Sequence, residues 1–94
     1  MKNSVLIHLD GHCIETGAKR EYKRLLDDYF CGRGDPADLE SGINLVGEFI
    51  KKSDFRALRS SDRRLDGTES CTVLLERIEN GGIVISFAPA EGKG

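Results

Sequence analysis

The sequence predicts a small α+β domain, from two hairpin signals and two helical segments between them. The dipeptides Asp10-Gly11 and Asn80-Gly81 each lie between apolar runs, one near either end of the chain. Such dipeptides tolerate the positive φ angles of a two-residue type I′ turn, so each predicts a β-hairpin. The expected order is ββααββ, in a two-layer sandwich. A mainly antiparallel sheet of four to five strands would carry both helices on one face.

In the first predicted hairpin, side chains alternate between the two faces of the strands. One face is expected to contact the core and consists of Val5, Ile7, Leu9, His12 and Ile14. The other face is mixed and consists of Ser4, Leu6, His8, Cys13 and Glu15. We expect this second face to be exposed or to form part of an interface, with Leu6 as an apolar contact residue.

Both predicted helices have an apolar stripe and recognisable ends. The stripe of the first helix is Ala18, Tyr22, Leu25, Leu26, Tyr29 and Phe30. That helix ends near Gly32 and Gly34, because glycine readily adopts the left-handed conformation of helix C-termini. The second helix begins at Asp35-Pro36, a favoured N-cap followed by a favoured first residue. The stripe of the second helix is Leu39, Ile43, Val46, Phe49 and Ile50.

The last hairpin is apolar on both faces, whereas residues 53–67 carry only weak signals for a short strand or a helical tail. A two-residue turn places Val73, Leu75 and Val84 opposite the face that carries Ile83, Ile85 and Phe87. The first three residues then need cover from a second helix layer, or they form a homodimer or partner interface. Residues 1–89 are expected to form one domain, with 90–94 as a flexible tail.

The composition excludes several classes of protein. Fourteen basic and sixteen acidic residues give a net charge of −2, which predicts no strong overall attraction to nucleic acid or anionic lipid. No apolar run approaches the length of a signal peptide or membrane span, so no membrane partner is expected. The three cysteines have no CxxC spacing, which favours a reducing cytoplasm over a disulfide framework.

One small cluster has the chemistry of a metal or thiol site. His8, His12 and Cys13 lie close together in the sequence, and imidazole and thiolate are good zinc or copper ligands. Strand alternation puts His12 on the opposite face from the other two, however, which leaves two ligands where a structural zinc uses four. A His8–Cys13 nucleophile is an alternative, but no known catalytic motif accompanies it. We therefore expect no catalytic residues, bound metal or cofactor.

A basic segment is the second feature that could bind a ligand. Its members are Lys52, Arg56, Arg59, Arg63 and Arg64, together with Lys51. Arginine makes bidentate contacts to phosphate and carboxylate, so the segment could bind nucleic acid or an acidic protein surface. Three aspartates in and beside it favour a charge-balanced connector instead.

These observations favour a non-enzymatic protein–protein interaction module that acts as a regulator, adaptor or inhibitor of a larger assembly. The expected interface residues are Leu6, Val73, Leu75 and Val84. Nucleic-acid binding through the basic segment is the alternative, and a metal- or thiol-dependent site is the third possibility.

Overall fold

Three antiparallel strands and three α-helices make up residues 3–89, the part of the chain that this computed structural model describes. The strands are β1 (Ser4–His8), β2 (Cys71–Arg77) and β3 (Ile83–Pro89), in the sheet order β1-β2-β3. The helices are α1 (Ile14–Phe30), α2 (Pro36–Lys52) and α3 (Phe55–Ser61), followed by a 3-10 turn at Arg63–Leu65. The α+β class is confirmed, whereas the ββααββ order and the four to five strands are corrected. The tail predicted at 90–94 lies outside the described residues.

The first predicted hairpin is replaced by a turn that leads into a helix. Asp10 and Gly11 have φ angles of 48° and 83°, and the N–H of His12 donates to the carbonyl of Leu9 at 2.8 Å. The positive φ angles therefore match the prediction, but α1 begins at Ile14 where a second strand was expected. His12 is exposed instead of lying on the core face. The geometry of a turn does not determine which element follows it. With a helix and not a strand after the turn, β1 pairs instead with β2, which is distant in the sequence.

The second hairpin forms where predicted, with a loop one residue longer. The N–H of Ile78 donates to the carbonyl of Gly82 at 3.0 Å, and the N–H of Gly81 donates to Ile78 at 2.9 Å. Gly81 has a φ of 90°, whereas Asn80 does not have a positive φ, as in a type I turn followed by a left-handed residue. The longer loop shifts the strand register by one residue. A shift of one residue exchanges the two faces of a strand.

The core lies between the helices and one face of the sheet. On this covered face, Val5 lies opposite Leu75, and Ile7 lies opposite Val73. The buried apolar residues are Val5, Ile7, Leu9, Ile14, Ala18, Leu25, Leu45, Val46, Phe49, Phe55, Leu65, Cys71, Val73 and Leu75. The helices cover one face only, so the strands form one layer and the helices the other. None of the described helices is long and apolar enough to span a bilayer.

The connector at 53–67 is helical because two aspartates cap its short helices. The Asp54 carboxylate accepts a hydrogen bond from the N–H of Ala57 at 3.2 Å and begins α3. The Asp62 carboxylate accepts from the N–H of Arg64 at 2.9 Å and begins the 3-10 turn. Side-chain oxygens at these positions satisfy N–H groups that have no partner within the helix.

Candidate protein-binding surface

The uncovered face of the sheet carries apolar side chains among polar ones. We define this face by Ser4, Leu6, His8, Thr72, Leu74, Glu76, Val84 and Ser86. Leu6 on β1 is 53% exposed and Val84 on β3 is 40% exposed, while Leu74 on the central strand β2 is half-buried. Leu6 lies directly opposite Leu74 in the sheet. An apolar strip thus crosses the sheet on the side away from the helices.

Within residues 3–89 no strand pairs with the outer edge of β1, and this free edge borders the uncovered face and offers backbone hydrogen-bonding groups. Leu9 donates to the carbonyl of Cys71 at 3.0 Å, and Arg77 donates to the carbonyl of Asn3 at 2.8 Å. Backbone groups in an antiparallel ladder alternate in direction along a strand, so the odd-numbered residues of β1 face β2. The N–H and C=O groups that point to the free edge belong to Ser4, Leu6 and His8. Unpaired strand edges of this kind are templates for another strand.

The free edge of β3 differs from that of β1. Since Ile78 and Gly82 form a hydrogen-bonded pair, the same alternation directs the backbone of Ile83, Ile85, Phe87 and Pro89 outward. Pro89 has no N–H to donate, and proline on an edge strand opposes the addition of another strand. The guanidinium of Arg64 also lies 4.4 Å from the centre of the Phe87 ring. The β1 edge is therefore the more suitable of the two for strand addition.

A groove of about 660 Å³ lies beside the β1 edge, between that strand and helices α1 and α2. Its apolar part includes Leu25 and Leu39. Gly42 also lines the groove, and a Cβ at this position would make ordinary contacts of 3.4 Å with Leu25 and Val5.

The groove is lined by three carboxylates and one guanidinium, from Glu21, Asp35, Asp38 and Arg24. Arg24 already binds Glu21, and its Nη1 lies 3.0 Å from a carboxylate oxygen of Asp28. The hydrogen bonds that Arg24 donates to the Glu21 carboxylate raise the pKa of Arg24 above its ordinary value. Asp35 lies at the N-cap of α2 without a side-chain capping hydrogen bond. The formal charge of the lining is therefore −2, three negative charges and one positive.

The predicted interface residues divide between the two faces of the sheet. Leu6 and Val84 lie on the uncovered face, as a contact surface requires. Val73 and Leu75 are fully buried on the covered face, opposite Phe87 and Ile85, so they belong to the core of the domain and their prediction as interface residues is corrected. The one-residue difference in the hairpin loop explains this correction. The carboxylates of the groove were missed because the long-range β1–β2 pairing, which has no local sequence signal, creates the edge beside them.

The basic segment is partly neutralised by ion pairs. Lys52 lies 3.2 Å from Glu48, and Arg59 lies 3.5 Å from Glu15. Arg64 binds Asp62 at 2.9 Å, and this hydrogen bond raises the pKa of Arg64. Arg56 and Arg63 are the exposed arginines of the segment. The five side chains therefore do not form one continuous cationic surface.

The histidines and Cys13 have separate surroundings. His8 Nδ1 lies 3.3 Å from the hydroxyl of Thr72 on the uncovered face. Cys13 lies at the N-cap of α1, where its Sγ is 3.4 Å from the Thr16 hydroxyl. Hydrogen bonding from the side chain and then the backbone of Thr16 lowers the pKa of Cys13. Within residues 3–89, no three His, Cys, Asp or Glu side chains are arranged to hold a metal ion.

Comparison with known proteins places the chain within a protein family. The model of an uncharacterised family matches residues 3–85, from the start of β1 into β3. The chain belongs to this family. A protein of Archaeoglobus fulgidus, described as an uncharacterized protein, is 34% identical over 76 residues, which cover 79% of this chain and 87% of the relative. No solved structure matches the chain significantly. The family membership carries no indication of function.

Proposed function

We propose that the domain is a non-enzymatic protein–protein interaction module that regulates, adapts or inhibits a larger assembly. Its contact surface is the uncovered face together with the free edge of β1. The partner is another protein or a second copy of this chain.

The observation that carries this proposal is the position of Leu6. Its side chain is 53% exposed on the uncovered face, and its backbone N–H and C=O point to the free edge. One residue therefore offers both apolar surface and main-chain hydrogen bonds to a partner. Strand addition uses this combination, since the main chain supplies affinity and alternate side chains supply specificity.

The basic segment supports the nucleic-acid alternative less well. Lys52, Arg59 and Arg64 already lie beside carboxylates, which reduces the charge available for phosphate. The cytoplasmic location expected from the sequence is part of this proposal, and three free cysteines are consistent with it.

The substitution Leu6→Asp tests the proposed surface. We expect the variant to remain folded and to lose association, because a carboxylate replaces the central apolar contact. Sedimentation velocity measures association with a second copy of the chain. Affinity capture from the source organism, followed by quantitative mass spectrometry, measures association with another protein. Phe30→Asp is the matched control, since Phe30 is 79% exposed at the end of α1 and outside the proposed surface.

A protein, or a second copy, that is retained by the wild type and by Phe30→Asp but lost with Leu6→Asp supports the function. Equal retention by all three proteins, or loss only with Phe30→Asp, contradicts it. Circular dichroism of the variants establishes that each remains folded.

A further inference from the structure

The direction of the N–H and C=O groups of β1 determines how a strand from a partner, here called the guest strand, would pair with the free edge. Residues of the guest that pair with Ser4, Leu6 and His8 place their side chains on the uncovered face. Residues at the alternate positions lie opposite Val5 and Ile7, whose side chains point toward the helices. Guest side chains at those alternate positions therefore enter the groove.

The groove favours a basic side chain at these positions. Leu39 is half-buried in the groove wall and offers apolar surface for an aliphatic stem, and Asp35 lies at the same end of α2. Long cationic side chains bury their stems against apolar surface while their charged ends remain near water or carboxylates. Arg24 competes little with such a cationic group for the Asp35 carboxylate, because its own guanidinium already binds Glu21 and Asp28.

On the basis of the function proposed above, we propose that the β1 edge binds an extended segment of a partner protein. This segment carries lysine or arginine at the positions facing the groove and apolar residues at the positions beside Leu6. Charge complementarity selects this occupant over a second copy. Antiparallel pairing of two β1 strands about Leu6 would bring two grooves, each with a formal charge of −2, next to each other.

The direct test uses synthetic peptides and the ¹⁵N-labelled full chain. The probe is an acetylated and amidated peptide, TVKVKVT, whose lysines would face the groove and whose valines would lie on the uncovered face. The matched controls are TVEVEVT and a lysine peptide with N-methylvaline at its centre, which removes one main-chain donor. Binding is followed by chemical-shift titration and by amide hydrogen exchange.

We expect the lysine peptide to bind and to slow exchange of the Ser4, Leu6 and His8 amides. The glutamate and N-methyl peptides should bind at least about tenfold more weakly, because each lacks one component of recognition. Asp35→Asn should weaken binding of the lysine peptide about threefold, whereas the control Glu79→Gln, at the exposed hairpin loop, should not change it.

Equal affinity for the lysine and glutamate peptides overturns the inference, as does protection at β3 instead of β1. Absence of binding by the lysine peptide also overturns it. If Leu6→Asp nevertheless abolishes association in the capture or sedimentation experiment, the proposed function stands and only the basic extended occupant is wrong. If Leu6→Asp changes neither association nor peptide binding, both are wrong.

Discussion

The two faces of the sheet have similar apolar residues and different environments. Val73 and Leu75 on the covered face are fully buried, while Leu6 on the uncovered face is 53% exposed and Val84 is 40% exposed. Successive side chains along each strand point to opposite faces, so neighbouring residues of similar hydrophobicity contribute differently to the free energy of folding. Apolar residues of the uncovered face are therefore not required to complete the core, and in the proposed function they contact a partner.

The largest expected effect comes from placing a charge on the covered face. Leu75→Asp should reduce the free energy of unfolding by at least about 4 kcal/mol, because it buries a carboxylate and removes apolar packing. A domain of this size has about 5–15 kcal/mol in total, so the variant should lose a large part of its stability and unfold at a clearly lower urea concentration. Urea unfolding followed by circular dichroism measures the change.

Leu6→Asp is the matched control for that prediction, and its free energy of unfolding should stay within about 0.5 kcal/mol of the wild type. Similar urea midpoints for Leu75→Asp and the wild type would show that the two faces have been assigned the wrong way round.

A smaller effect tests how closely the helices approach the covered face. A Cβ at Gly17 would lie 2.5 Å from Leu9 Cδ2, and Leu9 is fully buried. Gly17→Ala should therefore lower the free energy of unfolding by about 1–3 kcal/mol, although alanine favours helix formation by about 1 kcal/mol.

Gly42→Ala provides the comparison, because its Cβ would meet Leu25 and Val5 at 3.4 Å. We expect this variant to be at least as stable as the wild type within about 0.5 kcal/mol, since helix propensity offsets the tighter packing. Thermal unfolding of the two alanine variants separates these outcomes. A Gly17→Ala variant more stable than Gly42→Ala would contradict the close approach of α1 to β1.

The smallest effect concerns the reactivity of two thiols. Thr16 lowers the pKa of Cys13, so its thiolate forms at lower pH than in an ordinary cysteine. Burial raises the pKa of Cys71, which lies at the covered end of β2. Iodoacetamide at pH 7.5 should modify Cys13 at least about tenfold faster than Cys71, because the thiolate is the nucleophile.

Peptide mapping by mass spectrometry gives the two rates as a function of pH. Thr16→Val should shift the pH profile of Cys13 upward, since the hydroxyl no longer stabilises the thiolate. An unchanged profile would show that the Thr16 side chain does not determine the reactivity of Cys13.

Local patterns in the sequence were sufficient to predict most of α1 and all of α2, but not the start of α1 at Ile14 or helix α3. The stripe through Leu25 identified α1, and Asp35-Pro36 marked the start of α2 correctly. These features depend on residues three or four positions apart, so no tertiary information is required. The α+β class follows from combining such helices with apolar strands.

The pairing of the strands was less predictable. Asp10 and Gly11 adopt positive φ angles as expected, yet the next element is a helix whose first residue, Ile14, would also suit a strand. One additional residue in the loop at Asn80-Gly81 exchanged the faces of Val73 and Leu75. The groove lies beside β1, α1 and α2, and its edge depends on the long-range pairing of β1 with β2, which no single motif encodes.

Amide hydrogen exchange along β1 in the isolated chain tests the central claim most directly, since a free edge is what a partner strand needs. We predict that the Leu6 amide exchanges rapidly while the neighbouring Ile7 amide, directed toward β2, is strongly protected. Equal and strong protection of Leu6 and Ile7 in a sample that sedimentation velocity shows to be monomeric would mean that the chain itself covers the edge, and would contradict the proposed binding surface.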